Sequence, residues 1–430
     1  MRLTGLVLII FASHLLAAEK EALIDESHFL PIEHPAIGYS SASPSDRIAE
    51  LQAQLSSGEL KLVFDRKFGF LPSVLDALDI PVSSQMLVFS KTSFQATRIS
   101  PQTPRALYHS DDLAVGWVQG GTVLELASVD PKLGAIFYSL DQRPSDRPAF
   151  RLHNTECTGC HQGPATLGVP GLFVRSVYPD ESGIMSRAPG FFTDHRSPLQ
   201  ERWGGWYVSG EHGTQRHLGN RTFEQFAPTT NLDLRPTGNL TDLTSLFDTD
   251  AYLSPHSDIV SLMTLEHQTR MTDLITRVGY EVRIALHDAD TGQISDLDPA
   301  SRSRIANTIE GMIRYMLFAD EARLEAPVRG TTAFAEEFAA AGPRDEKGRS
   351  LRDLDLETRL LRYPCSYLIY SEQFAALPPP AKRIIYSRLW DVLTRRDQSE
   401  ASRTLSETDR QAIKEILVAT KPDLPAYWRD

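Results

Sequence analysis

The chain has little cysteine: three residues in 430. Three cysteines cannot build the disulfide framework that staples many exported proteins. Long apolar runs are also missing beyond the first twenty residues, which excludes a polytopic membrane protein. Excess positive charge is absent too. The formal net charge of -12 argues against nucleic acid or an anionic membrane surface as the main partner. No internal repeat is visible, so a solenoid or propeller is not expected.

What is present begins with "MRLTGLVLIIFASHLLAAEK". Arg2 supplies a short positive start, Leu3 to Leu16 is largely apolar, and Ala17 and Ala18 are small. This layout predicts a secretory signal peptide over residues 1–18, cleaved near Ala18, and a periplasmic or otherwise exported protein. The apolar run is short for a stable membrane anchor. No transmembrane span is expected once the signal is removed.

Two of the three cysteines stand together in "ECTGCHQG", as Cys157-Thr158-Gly159-Cys160-His161. The spacing C-x-x-C-H has a chemical logic. Each thiol can add to one of the two vinyl groups of haem, and two intervening residues let both thioether bonds form on one turn of chain. The adjacent histidine then reaches the iron as proximal ligand. Two other readings stay open on the residues alone. A redox dithiol would sit at a helix start in a βαβ unit, and a zinc site would need two further ligands.

In these residues the sequence resembles the c-type cytochromes, over about Cys157 to Leu172. The resemblance implies one covalent haem c held by Cys157, Cys160 and His161, and a redox partner protein. It also implies a proline carbonyl accepting the ring N–H of His161. "HQGPATLGVPGL" offers Pro164 and Pro170, and Pro170 is the better spaced. His153 stands four places before Cys157, where small cytochromes carry an aromatic residue. The whole chain is therefore more similar to the large single-haem exported cytochromes of bacteria.

The rest of the chain predicts an α+β fold, mostly helical in its C-terminal half. A small N-terminal sheet is expected to pack with an irregular haem-binding region and a C-terminal helical region. The implied division is residues 19–140 for an N-terminal α/β region, 141–253 for the haem region and 254–430 for helices completing the haem pocket. "SPSDRIAELQAQLSSG" reads as a helix opened by Ser45 and closed by Gly58. "FGFLPSVLDALDIP" reads as a second helix, ending at Pro81. "QMLVFS", "LAVGWVQ", "TVLELASV" and "AIFYSL" read as strands. "ERWGGWYVSGEHGTQRHLGN" brings Trp203, Trp206, Tyr207, His212 and His217 together as a candidate pocket wall. From Ser254, Val260, Met263, His267, Met271, Leu274, Val278 and Val282 recur at steps of three and four, the mark of one apolar face of a long helix. Ser406 with Asp409 forms a capping-box pattern, and Cys365 reads as a buried free thiol.

Candidates for a sixth iron ligand are numerous. His267, on the apolar stripe of the long helix, is the first, and His195 is the rival on the loop side. Met185, His212, His217, Met263 and Met271 are weaker. A second protein ligand would make the chain an electron carrier, whereas an open sixth position would suit a peroxidase-like haem enzyme.

Overall fold

The structure is a computed structural model that describes residues 24, 28–153, 155–185, 190–224, 234, 237–397 and 404–429. The stretch expected to be a signal peptide, residues 1–18, lies outside the described residues.

Two short helices lead the chain. α1 (Arg47–Ser57) is capped by the Asp46 carboxylate, which accepts from the amides of Ile48 and Ala49, and ends at Gly58 with φ 79°. The cap is thus Asp46, one residue after the expected Ser45. α2 (Leu71–Ala77) follows. Strands β1 (Met86–Val88), β2 (Arg105–His109), β3 (Leu113–Trp117), β4 (Val123–Asp130), β5 (Gly134–Asp141) and β6 (Phe150–Leu152) come next. The single turn α3 (Thr158–His161) precedes a strand pair, β7 (Val174–Ser176) and β8 (Phe191–Thr193), and then β9 (Trp206–Tyr207). The C-terminal half carries α4 (Ile259–Asp288), α5 (Pro299–Met316), α6 (Phe334–Ala340), α7 (Glu372–Ala375), α8 (Pro379–Leu393) and α9 (Glu407–Thr420).

The expected small N-terminal sheet is overturned. The sheet has seven strands in the order β6-β5-β4-β3-β2-β1-β9, every neighbouring pair antiparallel. It draws β6 and β9 from the stretch expected to be irregular, and β7 pairs with β8 there in a separate two-stranded sheet. The reason is length. Strands of two or three residues are too short to show a period-2 alternation, so their pairing is set by tertiary contact. The broad class is α+β, with most helices C-terminal.

One face of the large sheet is covered by α1 and α2. Ile48, Leu51, Leu71, Val74 and Leu75 form one core with Tyr108, Val115, Leu124, Leu126, Ile136, Tyr138 and Leu140. The other face presents Ala114, Ala127, Ala135 and Phe137, against which Cys157 and Leu172 pack. β5 is buried on both faces, which explains its near-continuous apolar run.

Helix α4 is more deeply placed than a one-faced stripe implies. From Ile259 to Val282 almost every residue is buried, and it packs against α5, α6, α7 and α8. Its cap is Asp258, not Ser254. Several of the polar residues inside it are partnered: Glu266 with Arg202, His267 with Ser366 and Arg277 with Glu281. A helix buried all round must satisfy such groups internally.

Candidate functional site

The Cys157–His161 segment forms one helical turn because the amides of Cys160 and His161 both bond to the carbonyl of Cys157, at 3.1 and 2.9 Å. Positions 157, 160 and 161 are spaced i, i+3 and i+4, so both thiols and the imidazole share one side of the turn. Cys157 and Cys160 are free thiols, the first half-buried and the second exposed. Gly159 faces open space.

His161 is held firmly. Its Nδ1 lies 3.0 Å from the carbonyl oxygen of Gly171, and the Gly171 amide returns a 2.9 Å bond to the His161 carbonyl. Nδ1 carries the proton when it donates to that carbonyl, which leaves a lone pair on Nε2. Phe137 and Phe173 flank the ring at 4.7 and 5.4 Å between centroids. Burial holds the imidazole pKa below its ordinary value, helped by Arg105 and opposed by the Gly171 carbonyl and Glu125. A neutral imidazole with a second-shell acceptor is the form that binds metals.

The expected proline carbonyl is not the acceptor. Pro170 gives its carbonyl to the amide of Ala135 at the start of β5, so the next residue, Gly171, turns its own toward His161. The loop folds back tightly enough to demand glycine. At Gly168 φ is +69°, and a Cβ there would stand 2.3 Å from the carbonyl oxygen of His28. A Cβ on residue 171 would lie 2.0 Å from Oδ1 of Asp273.

Three residues of α4 hold this loop, and the sequence reading did not single them out. Arg270 reaches the Ala165 carbonyl at 3.4 Å. Asp273 Oδ1 accepts from the Leu172 amide at 3.2 Å. Arg277 donates to the carbonyls of Leu167 at 2.6 Å and His28 at 2.7 Å. Their spacing of three and four places them on one helical face. Charged residues at that spacing along the long helix were the available signal.

The other candidates lie elsewhere. His195 and His267 are both buried, with their Nδ1 atoms 2.8 Å apart; His267 Nε2 also meets Ser366 Oγ at 2.8 Å. Both ring nitrogens of His267 are thus occupied, and His195 stacks on Tyr315 and Phe318. His212 and His217 contact each other, and His217 contacts Trp203. Their ring nitrogens accept from the amides of Asn239 and Gly219. Trp203 and Trp206 belong to the core that α4 shares, and Met185 bridges to Pro179. Cys365 is a buried free thiol, as read from the sequence.

The competing chemistries fit less well. A reactive dithiol needs a depressed thiol pKa, but burial, with the nearby Glu156, Glu125 and Cys160, pushes Cys157 up to about 11. Among the described residues, one group of three His, Cys, Asp or Glu side chains has metal-ligand spacing. It is His34, His287 and Asp288, which does not include the cysteine pair. Comparison with family models, with curated proteins and with solved structures finds no match for this chain.

Proposed function

We propose that the protein is an exported, single-haem c-type cytochrome. Haem c would be bound covalently through Cys157 and Cys160, with His161 as proximal iron ligand, and electrons would pass to and from a partner protein. The observation that carries this reading is the turn itself. Two free thiols and a neutral imidazole share one side of it, with Nδ1 bonded to the Gly171 carbonyl and Nε2 left for iron.

Purified mature protein from a host that matures cytochromes c tests the proposal. It should carry the mass of one haem and an absorption spectrum of iron bound by histidine. A low-spin iron indifferent to carbon monoxide is the expected state of a carrier. High-spin iron that binds peroxide would replace the carrier by a peroxidase-like haem enzyme.

A further inference from the structure

Asp273 and His161 grip opposite ends of one peptide unit. The peptide joining Gly171 to Leu172 is trans, so its C=O and N–H point in opposite directions. The C=O end meets His161 Nδ1 at 3.0 Å, and the N–H end meets Asp273 Oδ1 at 3.2 Å. A hydrogen bond to the N–H polarises the amide and makes its carbonyl a better acceptor. Gly171 is what lets the carboxyl come so close.

Asp273 is an expensive residue to keep there. It is fully buried, and its second oxygen, Oδ2, has no hydrogen-bond partner. A buried carboxyl with an unsatisfied oxygen destabilises a fold. Asp273 lines a cavity of about 140 Å3 together with Thr193, Asp194, Arg196 and Arg270. Arg270 supplies a compensating charge, and Asp194 is itself paired with Arg196. The carboxyl accepts from the Leu172 amide, at the peptide that orients His161.

We propose that Asp273 is a positioning residue for His161: through the 171–172 peptide it fixes the Nδ1–H tautomer and the ring orientation, so that Nε2 is presented to iron. The consequence for iron rests on the haem reading above, but the tautomer can be read without haem.

The test compares wild type, Asp273→Asn and Asp273→Ala by 15N chemical shifts of the His161 ring in protein without haem. The midpoint potentials of the haem-loaded forms are measured in parallel. Wild type should show the Nδ1–H tautomer. Asparagine, which keeps an acceptor for Leu172, should hold most of it. Alanine should lose it and displace the midpoint potential. If alanine leaves both tautomer and potential as in wild type, or if asparagine is as disruptive as alanine, the proposal is overturned. Asp273→Ser, whose hydroxyl is too short to reach Leu172, replaces alanine should that variant not fold. Failure of wild type to take up haem would overturn the haem reading alone, and the tautomer would still decide the role of Asp273.

Discussion

The Nδ1 atoms of His195 and His267 lie 2.8 Å apart, so one imidazole must donate to the other. Whichever ring donates, His195 Nε2 is left buried without a partner, while His267 Nε2 is held by Ser366. The pair is built into the core between α4, Tyr315 and Phe318. His267→Ala should therefore destabilise the fold by roughly 2–4 kcal/mol, from the lost bonds and the cavity left behind. Denaturant unfolding measures it. The iron spectrum of the haem-loaded variant should stay as in wild type; a shift to high spin would make His267 an iron ligand after all.

Arg277 is almost wholly buried. It pairs with Glu281 at 2.7 Å while donating to the carbonyls of Leu167 and His28. Arg277→Met would leave the Glu281 carboxylate unpaired and two carbonyls unsatisfied, with Thr308 as the remaining donor to Glu281. Breaking one side of a buried pair costs about 3–5 kcal/mol. We expect a large fall in the unfolding midpoint and poor haem loading. A double change, Arg277→Met with Glu281→Leu, should recover part of the stability, which the same unfolding experiment would reveal.

That Cys157, Cys160 and His161 share one side of a turn was legible, because their spacing coincides with one helical turn. Of the nine strands among the described residues, β1, β3, β4 and β5 were legible as apolar runs, and β2, although five residues long, was not. β6 and β9 were not, since two or three residues carry no periodicity and sheet pairing alone defines them. Nor was the loop clamp. Arg270, Asp273 and Arg277 read locally as polar interruptions of a helix, and their role appears only when residues 163–172 fold against them. The choice of Gly171 over Pro170 depends on the sheet, which claims the Pro170 carbonyl through Ala135.

Gly171→Ala is a sharp test of that loop. The added methyl carbon would stand 2.0 Å from Asp273 Oδ1 and 3.0 Å from Thr166 Cβ, so the loop or the helix must move. Overpacking of this kind costs roughly 1–3 kcal/mol. The variant should unfold at lower denaturant, and the His161 ring should lose its single tautomer.

Buried neutral histidines make stability depend on pH. Burial, then His212 and Arg216, holds His217 down to about 3, below the ordinary value near 6.5. In the unfolded chain the ring takes up a proton below pH 6.5 while the folded ring does not. The unfolded state therefore binds more protons between pH 6.5 and 3, and stability falls as pH falls through that window. The slope from this one residue is about 1.4 kcal/mol per pH unit. His217→Gln should flatten the wild-type profile by that slope between pH 6 and 4 and leave it parallel above pH 7. Unfolding titrations at stepped pH give the comparison, and equal slopes would refute the burial argument.

His161→Ala leaves both thiols in place and removes the proposed iron ligand. Covalent attachment should still be detectable at reduced yield, with a spectrum changed from wild type in both redox states. An unaltered spectrum would exclude His161 as ligand.

The most direct test of the whole account is the intact mass of the mature protein from a cytochrome c-maturing host, measured after denaturing acid-acetone extraction, beside a Cys157→Ala/Cys160→Ala double variant. The account predicts that wild type retains the mass of one haem through extraction and that the double variant retains none. A wild-type chain at its bare polypeptide mass, or haem still covalently attached in the double variant, would contradict it.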